Sequence, residues 1–469
     1  MESLRMKIAV ISNVFSPHVI GGYELGCLGL ARAAQAAGHR IRVLTSRAIG
    51  RLQKRDRASD LDVKGLFTPI YDYENIISGV RCNTDPAAMG GILPANVIAL
   101  QYELESFQPD AIWIFNPIAL GPVGIFETAV ASGIPTTVHL MDHFDGTVAD
   151  HQVGFNVLPR WIRAKSKMGA IACSRKTLET NQVHGTYGRT TVIPNGVSFD
   201  KASQPVKSLP GDCVNFVYFG QIESHKGILQ LIDAFALLKK RHSGKHLQLH
   251  LIGSGSESFR SELDQSITRH RLERDVVQHG FIPPSELPER LDTMHAAVFP
   301  LRPDEPFAYV VIEAIRAGLP TIVSRHAGVA EFLPQQYPLL LHDRDNSSEL
   351  ASLMGRVLLD NQPVREWTSR LQTLIREICD LDRSCLPRCI EFLREGSGVT
   401  QPRRHLADMV NDGLASWQSS LQLQLATSQP NPAIPVGKRL ERWVRRKVPT
   451  STRYFWKRQL RWLSSRKAG

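Results

Sequence analysis

The feature that most constrains the fold is an alternation of short apolar strands and helical stretches that occurs twice along the chain. Alternation of this kind indicates parallel sheets covered by helices on both faces. The first series predicts strands at 7–12, 41–45, 111–115, 136–140, 170–173 and 191–193. The second series predicts strands at 214–219, 247–252, 276–279, 296–299, 321–323 and 339–341. We therefore predict an α/β chain with two doubly wound, Rossmann-like domains that face each other across a cleft.

The length of the chain supports this division, because 469 residues are too many for one hydrophobic core. We predict the following parts: a first domain at 1–199, a linker at 200–211, a second domain at 212–375, a crossover helix at 376–395 and an extension at 396–469. Helices of the first domain are predicted at 23–37, 91–107, 122–131 and 175–184. Residues 47–89 lack clear periodicity and are predicted to form a long excursion.

Two glutamates lie at the end of a predicted strand in the second domain. Glu305 is in a proline-rich loop after the strand at 296–299, and Glu313 is near the start of the next helix. In doubly wound proteins, ligands lie beyond the carboxyl ends of the strands, where helix N-termini present unpaired N–H groups. Carboxylates at this position are expected to stay ionised and to accept hydrogen bonds, which suits the hydroxyls of a sugar.

The surrounding residues resemble the signature E-x-F-G-x4-E-A-x-A-x-G-x-P of the retaining glycosyltransferases of family 4. The matching residues are Glu305, Phe307, Glu313, Ala314, Gly318 and Pro320. Ala308 stands where the family has glycine. The resemblance covers roughly residues 6–395 and implies the GT-B fold. It also implies that Glu305 contacts hydroxyls of the donor sugar and that Glu313 holds the ribose of the nucleotide.

Other segments resemble the donor-binding loops of the family. Gly21 and Gly22 follow the first strand at a turn where glycine lets backbone N–H groups approach a phosphate oxygen. Lys226 matches the family lysine that holds the diphosphate, whereas the family arginine is replaced by Gln221, which brings no charge. The other residues that we assign to donor binding are Gly253, Phe281, Phe307, Ala308 and Tyr309.

The first domain is expected to receive the acceptor and to supply polar groups near the anomeric carbon. The family carries a His-Asp pair after its fourth strand, and residues 135–145 occupy that place. The alignment leaves a choice between His139, Asp142 and His143. We predict His139 and Asp142 as catalytic residues together with Glu305. A histidine enclosed in the core is the alternative for His139.

The resemblance implies a retaining, metal-independent transfer of sugar from a nucleotide-sugar donor of the UDP or GDP type. The acceptor would be a hydroxyl of a glycan or lipid-linked molecule in the synthesis of a cell-surface polysaccharide or lipid-linked glycan. No cofactor and no metal are expected, because helix dipoles and Lys226 take the role of a cation. The alternatives are a sugar-nucleotide epimerase of the same fold and a degenerate scaffold that binds nucleotide sugar without turnover. Gln221 and Ala308 favour the scaffold.

Most of the net charge lies near the C-terminus. Residues 438–467 contain twelve Lys or Arg and one acid, Glu441, so this segment alone carries a net charge equal to the +11 of the chain. Aromatic residues are interleaved with these cations, which suits an anionic membrane surface. Basic tails also bind nucleic acid, but the body of the chain contains no nucleic-acid motif. We predict a cytoplasmic protein held by this tail at the inner face of the cell membrane, with no nucleic-acid partner.

Overall fold

Two parallel β-sheets, each covered by helices, form the body of the protein. The computed structural model describes residues 5–18, 21–47, 60–69, 92–118, 120–143, 145, 157–199, 204–207, 213–302, 305–343, 345–359 and 362–396. Within these residues the predicted pair of doubly wound α/β domains is confirmed. The basic tail lies outside the described residues.

The sheet of the first domain has seven strands in the order β3-β2-β1-β4-β5-β6-β7, and all pairings are parallel. The strands are β1 (Lys7–Ile11), β2 (Arg40–Ser46), β3 (Asp62–Phe67), β4 (Ala111–Ile114), β5 (Thr136–Leu140), β6 (Gly169–Ala172) and β7 (Arg189–Val192). The prediction of an excursion at 47–89 is wrong for the residues of β3. This strand mixes polar and apolar residues and lies at the sheet edge, so it lacks the continuous apolar run that identifies the buried strands.

The sheet of the second domain has six strands in the order β10-β9-β8-β11-β12-β13, again with parallel pairings only. The strands are β8 (Cys213–Phe219), β9 (His246–Ile252), β10 (Val276–Gly280), β11 (Ala296–Phe299), β12 (Thr321–Ser324) and β13 (Leu340–Leu341). Each lies within one residue of its predicted bounds. The sequence indicates these strands because β8, β9 and β11 consist mostly of buried apolar residues.

Helices connect the strands and cover both sheets. Those of the first domain are α1 (Gly22–Ala36), α2 (Pro94–Phe107), α3 (Pro122–Ala131), α4 (Val157–Lys165) and α5 (Arg175–Thr180). Those that follow are α6 (Ile228–Arg241), α7 (Glu257–Arg269), α8 (Leu287–Asp292), α9 (Tyr309–Arg316), α10 (Ser347–Val357), α11 (Gln362–Cys379) and α12 (Leu386–Glu395). Ser174, Ser256 and Asn346 cap α5, α7 and α10 by accepting a backbone N–H of the first turn. The sequence analysis missed α4.

The chain returns to the first domain after Asp380. A π turn at Leu381–Cys385 leads into α12, whose Cys389 and Phe392 are buried in the same apolar cluster as residues of β1 and β4. Beside this crossing, Val197 donates its N–H to Cys379 O at 2.9 Å and accepts from Leu381 N at 3.0 Å. The two segments that connect the domains are therefore hydrogen-bonded to each other, and the predicted crossover at 376–395 corresponds to the end of α11, the π turn and α12.

Candidate functional site

In each sheet the strand order reverses at the first strand of the domain, because the next strands are added on one side of it and the later strands on the other. The two strands that flank this point are β1 and β4 in the first sheet and β8 and β11 in the second. Ligands of open α/β sheets bind in the crevice beyond the carboxyl ends of such a pair. In the second domain this crevice is bordered by the loop after β8, which carries Lys226, and by the loop after β11, which carries Glu305. The topology thus brings together two residues that are 79 positions apart.

A glycine allows the two loops to touch. Gly227 has a φ of 76°, in the left-handed region that favours glycine. A Cβ at this position would lie 2.1 Å from the carbonyl oxygen of Pro300, at the end of β11. Any other residue would therefore push the loops apart. The contact sets Lys226 beside the Glu305 loop.

Lys226 and Glu305 form an ion pair between Nζ and Oε2. The side chains are only 19% and 14% exposed, respectively, so water screens the pair less than it would a surface pair. The backbone around Glu305 is held as well, because its N–H donates to Arg302 O at 3.1 Å and its carbonyl accepts from Gly328 N at 3.0 Å. The carboxylate is therefore fixed at the crevice by both its side chain and its backbone.

Glu313 lies on the second turn of α9 and is half-buried. Among the described residues, no hydrogen bond reaches its carboxylate. Burial raises the pKa of Glu313 above its ordinary value, and the charge of Arg316 opposes this only in part. That the Glu313 carboxylate stays ionised remains a prediction, and burial acts against its charge. The buried carboxyl lacks the hydrogen-bond donors that would stabilise its charge.

The residues between the two glutamates form the N-terminal end of α9. Phe307 is 2% exposed and packs edge-on against Tyr309 and Phe332, so its ring belongs to the core. Ala308 has a φ of 70°, the conformation that explains why the related family has glycine here. An alanine in this region is strained by about 1 kcal/mol.

Tyr309 joins the two domains across the crevice. It packs against the apolar cluster of the first domain that contains residues of α1 and β4. A Cβ at Gly22 would lie 3.1 Å from the Tyr309 ring, and a Cβ at Gly26 would lie 2.5 Å from its hydroxyl oxygen. The two glycines therefore give α1 a surface on which this ring can rest. Gly21, just before α1, donates its N–H to Glu24 Oε2 at 2.8 Å.

The predicted catalytic residues of the first domain have different surroundings. His139 is 2% exposed on β5, and its ring is stacked on that of Phe115 with centroids 4.9 Å apart. Its Nδ1 has no hydrogen-bond partner in the part of the chain that the structure describes, and burial lowers the pKa of His139 to about 3. The structure thus places this ring in the core of the first domain and not at the crevice. Its catalytic role stays a prediction that this geometry does not favour.

Asp142 lies just beyond β5 and is exposed. Burial raises the pKa of Cys173 to about 12, and the negative charges of Asp142 and Glu305 add to this rise from either domain. The charges of Asp142 and Glu305 thus act on the same thiol. His143 is turned toward α5, where its Nδ1 lies 2.7 Å from Thr180 Oγ1. Of His139, Asp142 and His143, Asp142 is the one that is exposed and whose charge acts on Cys173 together with that of Glu305.

The remaining donor-binding candidates lie at the loops after β8, β9 and β10. Gln221 is exposed, and its carbonyl accepts the Tyr218 hydroxyl at 2.8 Å. Gly253 lines a recess of about 290 Å³ together with Gly280. Phe281, the residue after Gly280, is 70% exposed. An exposed ring beside a recess at the carboxyl ends of these strands offers a flat apolar surface to a ligand.

The structure also shows contacts that the sequence analysis missed. The Tyr23 hydroxyl donates to Phe115 O at 2.7 Å and also contacts His139 O, which ties α1 to the ends of β4 and β5. Asp145 and Lys165 form a fully buried ion pair at 2.7 Å. No local sequence pattern indicates these contacts, because each joins residues far apart in the chain.

The part of the chain that the structure describes contains no group of three or more His, Cys, Asp or Glu arranged to hold a metal ion. None of the described helices combines the length and the apolar character that crossing a bilayer requires.

Comparison with known proteins follows the same division into two domains. The profile of Glycosyltransferase Family 4 matches residues 20–201, and the profile of Glycosyl transferases group 1 matches residues 200–372. The two matches meet at the predicted linker. The chain belongs to the GT-B glycosyltransferases related to family 4, as its sequence signature predicted.

Characterised and uncharacterised relatives support this assignment. The glycogen synthase of Mycobacterium tuberculosis is 26% identical over 344 residues, which cover 70% of this chain and 80% of the relative. An uncharacterized glycosyltransferase of Methanocaldococcus jannaschii is 28% identical over 369 residues, covering 76% and 90% of the two chains. Among solved structures, HepE of Anabaena in complex with UDP aligns with a TM-score of 0.64 at 20% identity, over 83% of this chain and all of HepE. This last likeness concerns the fold.

Proposed function

We propose that the protein is a retaining glycosyltransferase that moves a sugar from a UDP- or GDP-type donor to a hydroxyl of a glycan or lipid-linked acceptor. The observation that carries the proposal is the position of Lys226, Glu305 and Glu313 at the crevice where the second sheet reverses its strand order. Solved GT-B neighbours include HepE of Anabaena in complex with UDP and with UDP-glucose, which supports a nucleotide-sugar donor. Synthesis of a cell-surface polysaccharide or lipid-linked glycan is the proposed role.

The ion pair between Lys226 and Glu305 is suited to exchange with such a donor. A donor phosphate would take the ammonium of Lys226, and the sugar hydroxyls would donate to the carboxylate of Glu305. Each charged group would thereby keep a partner, so binding would not leave a charge uncompensated at a partly buried site. The exchange accounts for one cation and one anion lying in contact at the crevice.

Glu313 would complete donor binding. Its buried carboxyl has no hydrogen-bond donor among the described residues, and a ribose offers two neighbouring hydroxyls. Hydrogen bonds to the ionised form would lower the raised pKa of Glu313 and stabilise its charge. Donor binding would thus supply the contacts that the folded chain itself lacks.

The proposed reaction proceeds by displacement on one face of the sugar. The bond from the anomeric carbon to the donor phosphate breaks, and a bond to the acceptor oxygen forms on the same face. The acceptor proton passes to the departing phosphate oxygen, whose charge Lys226 stabilises. The N-terminal end of α9 adds its positive dipole, and we propose that the reaction needs no metal. Activity in the presence of EDTA tests that last point.

The proposal is tested by binding followed by turnover. UDP, GDP and ADP sugars are screened by thermal shift, because a ligand that binds only the native state raises the melting temperature. The stabilising sugar is then used in a transfer assay with the wild type, Glu305→Ala and Glu313→Ala. Both variants should lose transfer, whereas Glu262→Ala, at an exposed position of α7, should keep it. Wild-type rates in both glutamate variants would show that the donor site is wrong.

A scaffold that binds nucleotide sugar without turnover is the second candidate, and Gln221 is the observation that favours it. An arginine at this loop would add a second cation for the diphosphate. Gln221→Arg should leave the transfer rate equal or raise it. A wild type that binds the donor but shows no turnover, together with an active Gln221→Arg, would favour the scaffold.

We propose further that residues 438–467 hold the protein at the cytoplasmic face of the membrane. The support is the sequence alone, with its twelve cations and interleaved aromatic rings. Removal of 436–469 should move the protein from liposomes that contain anionic lipid to the supernatant and leave the thermal transition intact. Liposomes of neutral lipid serve as the control. Unchanged partitioning of the shortened chain would contradict the proposal.

A further inference from the structure

A polar junction joins the two domains at the loop that carries Glu305. Pro306, the residue after this glutamate, accepts hydrogen bonds through its carbonyl oxygen from Ser174 Oγ at 2.9 Å and Thr177 Oγ1 at 3.3 Å. Ser174 caps α5 of the first domain and Thr177 lies in its first turn. A helix end of one domain is thus bonded directly to the donor-site loop of the other.

The same loop is bonded on its other side to a 3₁₀ turn at Gly328–Phe332. Gly328 N donates to Glu305 O at 3.0 Å, and Val329 N donates to Phe307 O at 3.2 Å. A Cβ at Gly328 would lie 1.8 Å from Pro306 O and 2.7 Å from Ser174 Oγ. The absence of a side chain at Gly328 lets helix end, loop and turn meet at one point.

Glu331 closes this junction. It lies on the 3₁₀ turn of the second domain, and its two carboxylate oxygens accept the backbone N–H groups of Arg175 at 2.7 Å and Lys176 at 2.9 Å. These are first-turn groups of α5, which have no partner within the helix. Lys176 Nζ adds a bond in the opposite direction, to His326 O at 2.9 Å. A carboxylate of one domain therefore caps a helix of the other.

We propose that Glu331 is a positioning residue that couples closure of the two domains to the placement of Glu305. When the domains meet, Glu331 docks on α5, and Ser174 and Thr177 engage the carbonyl next to Glu305. When they part, these bonds are lost and the Glu305 loop keeps only its contacts within the second domain. The junction itself consists of hydrogen bonds, and the Tyr309 ring packs on the apolar cluster of the first domain as a separate contact between the domains. The effect on catalysis rests on the proposed function, whereas the effect on domain contact does not.

The chain offers a matched control. Glu349, at the start of α10, accepts His342 N at 2.9 Å and Asp343 N at 3.0 Å through its two carboxylate oxygens. It therefore makes the same kind of bidentate contact to two consecutive backbone N–H groups, but within the second domain. Glu331→Ala and Glu349→Ala remove the same chemistry, and only the first removes it between domains.

Hydrogen exchange of the full-length chain tests the coupling without any assay of turnover. Glu331→Ala should raise the exchange rate of the N–H groups at 174–180 by about tenfold, since a hydrogen bond to a charged acceptor is worth roughly that factor. Glu331→Gln, which keeps one acceptor oxygen, should give a smaller change. Glu349→Ala should leave 174–180 unchanged. Equal exchange at 174–180 in the wild type and Glu331→Ala would overturn the proposal.

A comparison of kcat with the Kd for the nucleotide then tests the consequence for Glu305. Glu331→Ala should lower kcat by about tenfold, while the Kd for UDP or GDP, whichever the wild type binds, stays within about twofold because Lys226 and Glu313 are untouched. Glu349→Ala should keep the wild-type kcat. A kcat that falls equally in both variants would show that Glu331 only stabilises the fold. If the wild type has no transferase activity, the exchange experiment still decides the junction, and the proposed function alone fails.

Discussion

The carboxyl edges of the two sheets differ, although both belong to domains of the same type. The edge of the second domain holds charged groups near the crevice, namely the pair of Lys226 with Glu305 and the carboxyl of Glu313, which has no hydrogen-bond partner among the described residues. At the edge of the first domain Asp142 is exposed, but His139 lies in the core and the Tyr23 hydroxyl is bonded to backbone carbonyls. One domain carries the candidate chemistry and the other supplies a surface that closes against it. Repetition of a fold thus does not repeat its function.

The largest effect on catalysis is expected from a substitution at the sheet edge of the second domain. Lys226→Ala should lower kcat by about 10² to 10³, because it removes the cation that stabilises the departing phosphate and leaves Glu305 without its partner. Transfer kinetics with the donor found by thermal shift measure this. Lys240→Ala, at an exposed position of α6, is the control and should keep the wild-type rate. A Lys226→Ala enzyme that turns over normally would remove the distinction between the edges.

Glu313→Gln should change binding and stability in opposite directions. Replacing the charge by an amide weakens the contact with ribose, so the donor Kd should rise by about tenfold or more. The same change removes a carboxyl whose charge burial disfavours, so the melting temperature should stay equal or rise. Calorimetric binding and thermal unfolding give the two values. A lower melting temperature with unchanged donor affinity would mean that Glu313 has a purely structural role.

His139→Phe should alter acid stability more than turnover. The pKa of His139 is about 3 in the folded state and about 6.5 when unfolded, so the unfolded chain binds more protons between these values. The contribution of His139 to the free energy of unfolding is therefore complete above pH 6.5. It decreases as the pH falls from 6.5 to about 3, by at most about 1.4 kcal/mol per pH unit. The variant should lose this dependence. Denaturant unfolding at pH 7 and pH 5 measures it, and His246→Gln, at an exposed histidine, is the control. A large loss of kcat in His139→Phe at pH 7 would instead restore the catalytic prediction.

The smallest effect is expected at the helix start between the glutamates. Ala308→Gly relieves the strain of a left-handed alanine, at the cost of greater freedom in the unfolded chain. Since the strain of about 1 kcal/mol exceeds the entropic cost of about 0.4 to 1 kcal/mol only slightly, we expect a gain in the free energy of unfolding of at most about 0.6 kcal/mol. Denaturant unfolding measures the change, with Ala236→Gly inside α6 as a control that should lose stability. A destabilised Ala308→Gly would contradict the strain at this position.

The sequence predicted the sheets well because strands such as β4 and β11 are buried apolar segments. It missed β3, whose polar residues suit a sheet edge, and α4, whose fully buried Lys165 gives it a basic appearance. The signature located Glu305 and Glu313, but the contact with Lys226 depends on the two loops that Gly227 brings together. His139 could not be distinguished from a cleft residue, because every position of β5 is buried and the strand has no alternating pattern.

A crystal structure of the chain with an intact nucleotide sugar tests the account most directly. We predict sugar hydroxyls within about 3.2 Å of the Glu305 carboxylate, the ribose within the same distance of Glu313, and the diphosphate at Lys226. Phe281 should lie beside the base. A nucleotide sugar bound against the first domain would contradict the central claim. In that structure Glu305 would still be paired to Lys226, and no ribose hydroxyl would donate a hydrogen bond to Glu313.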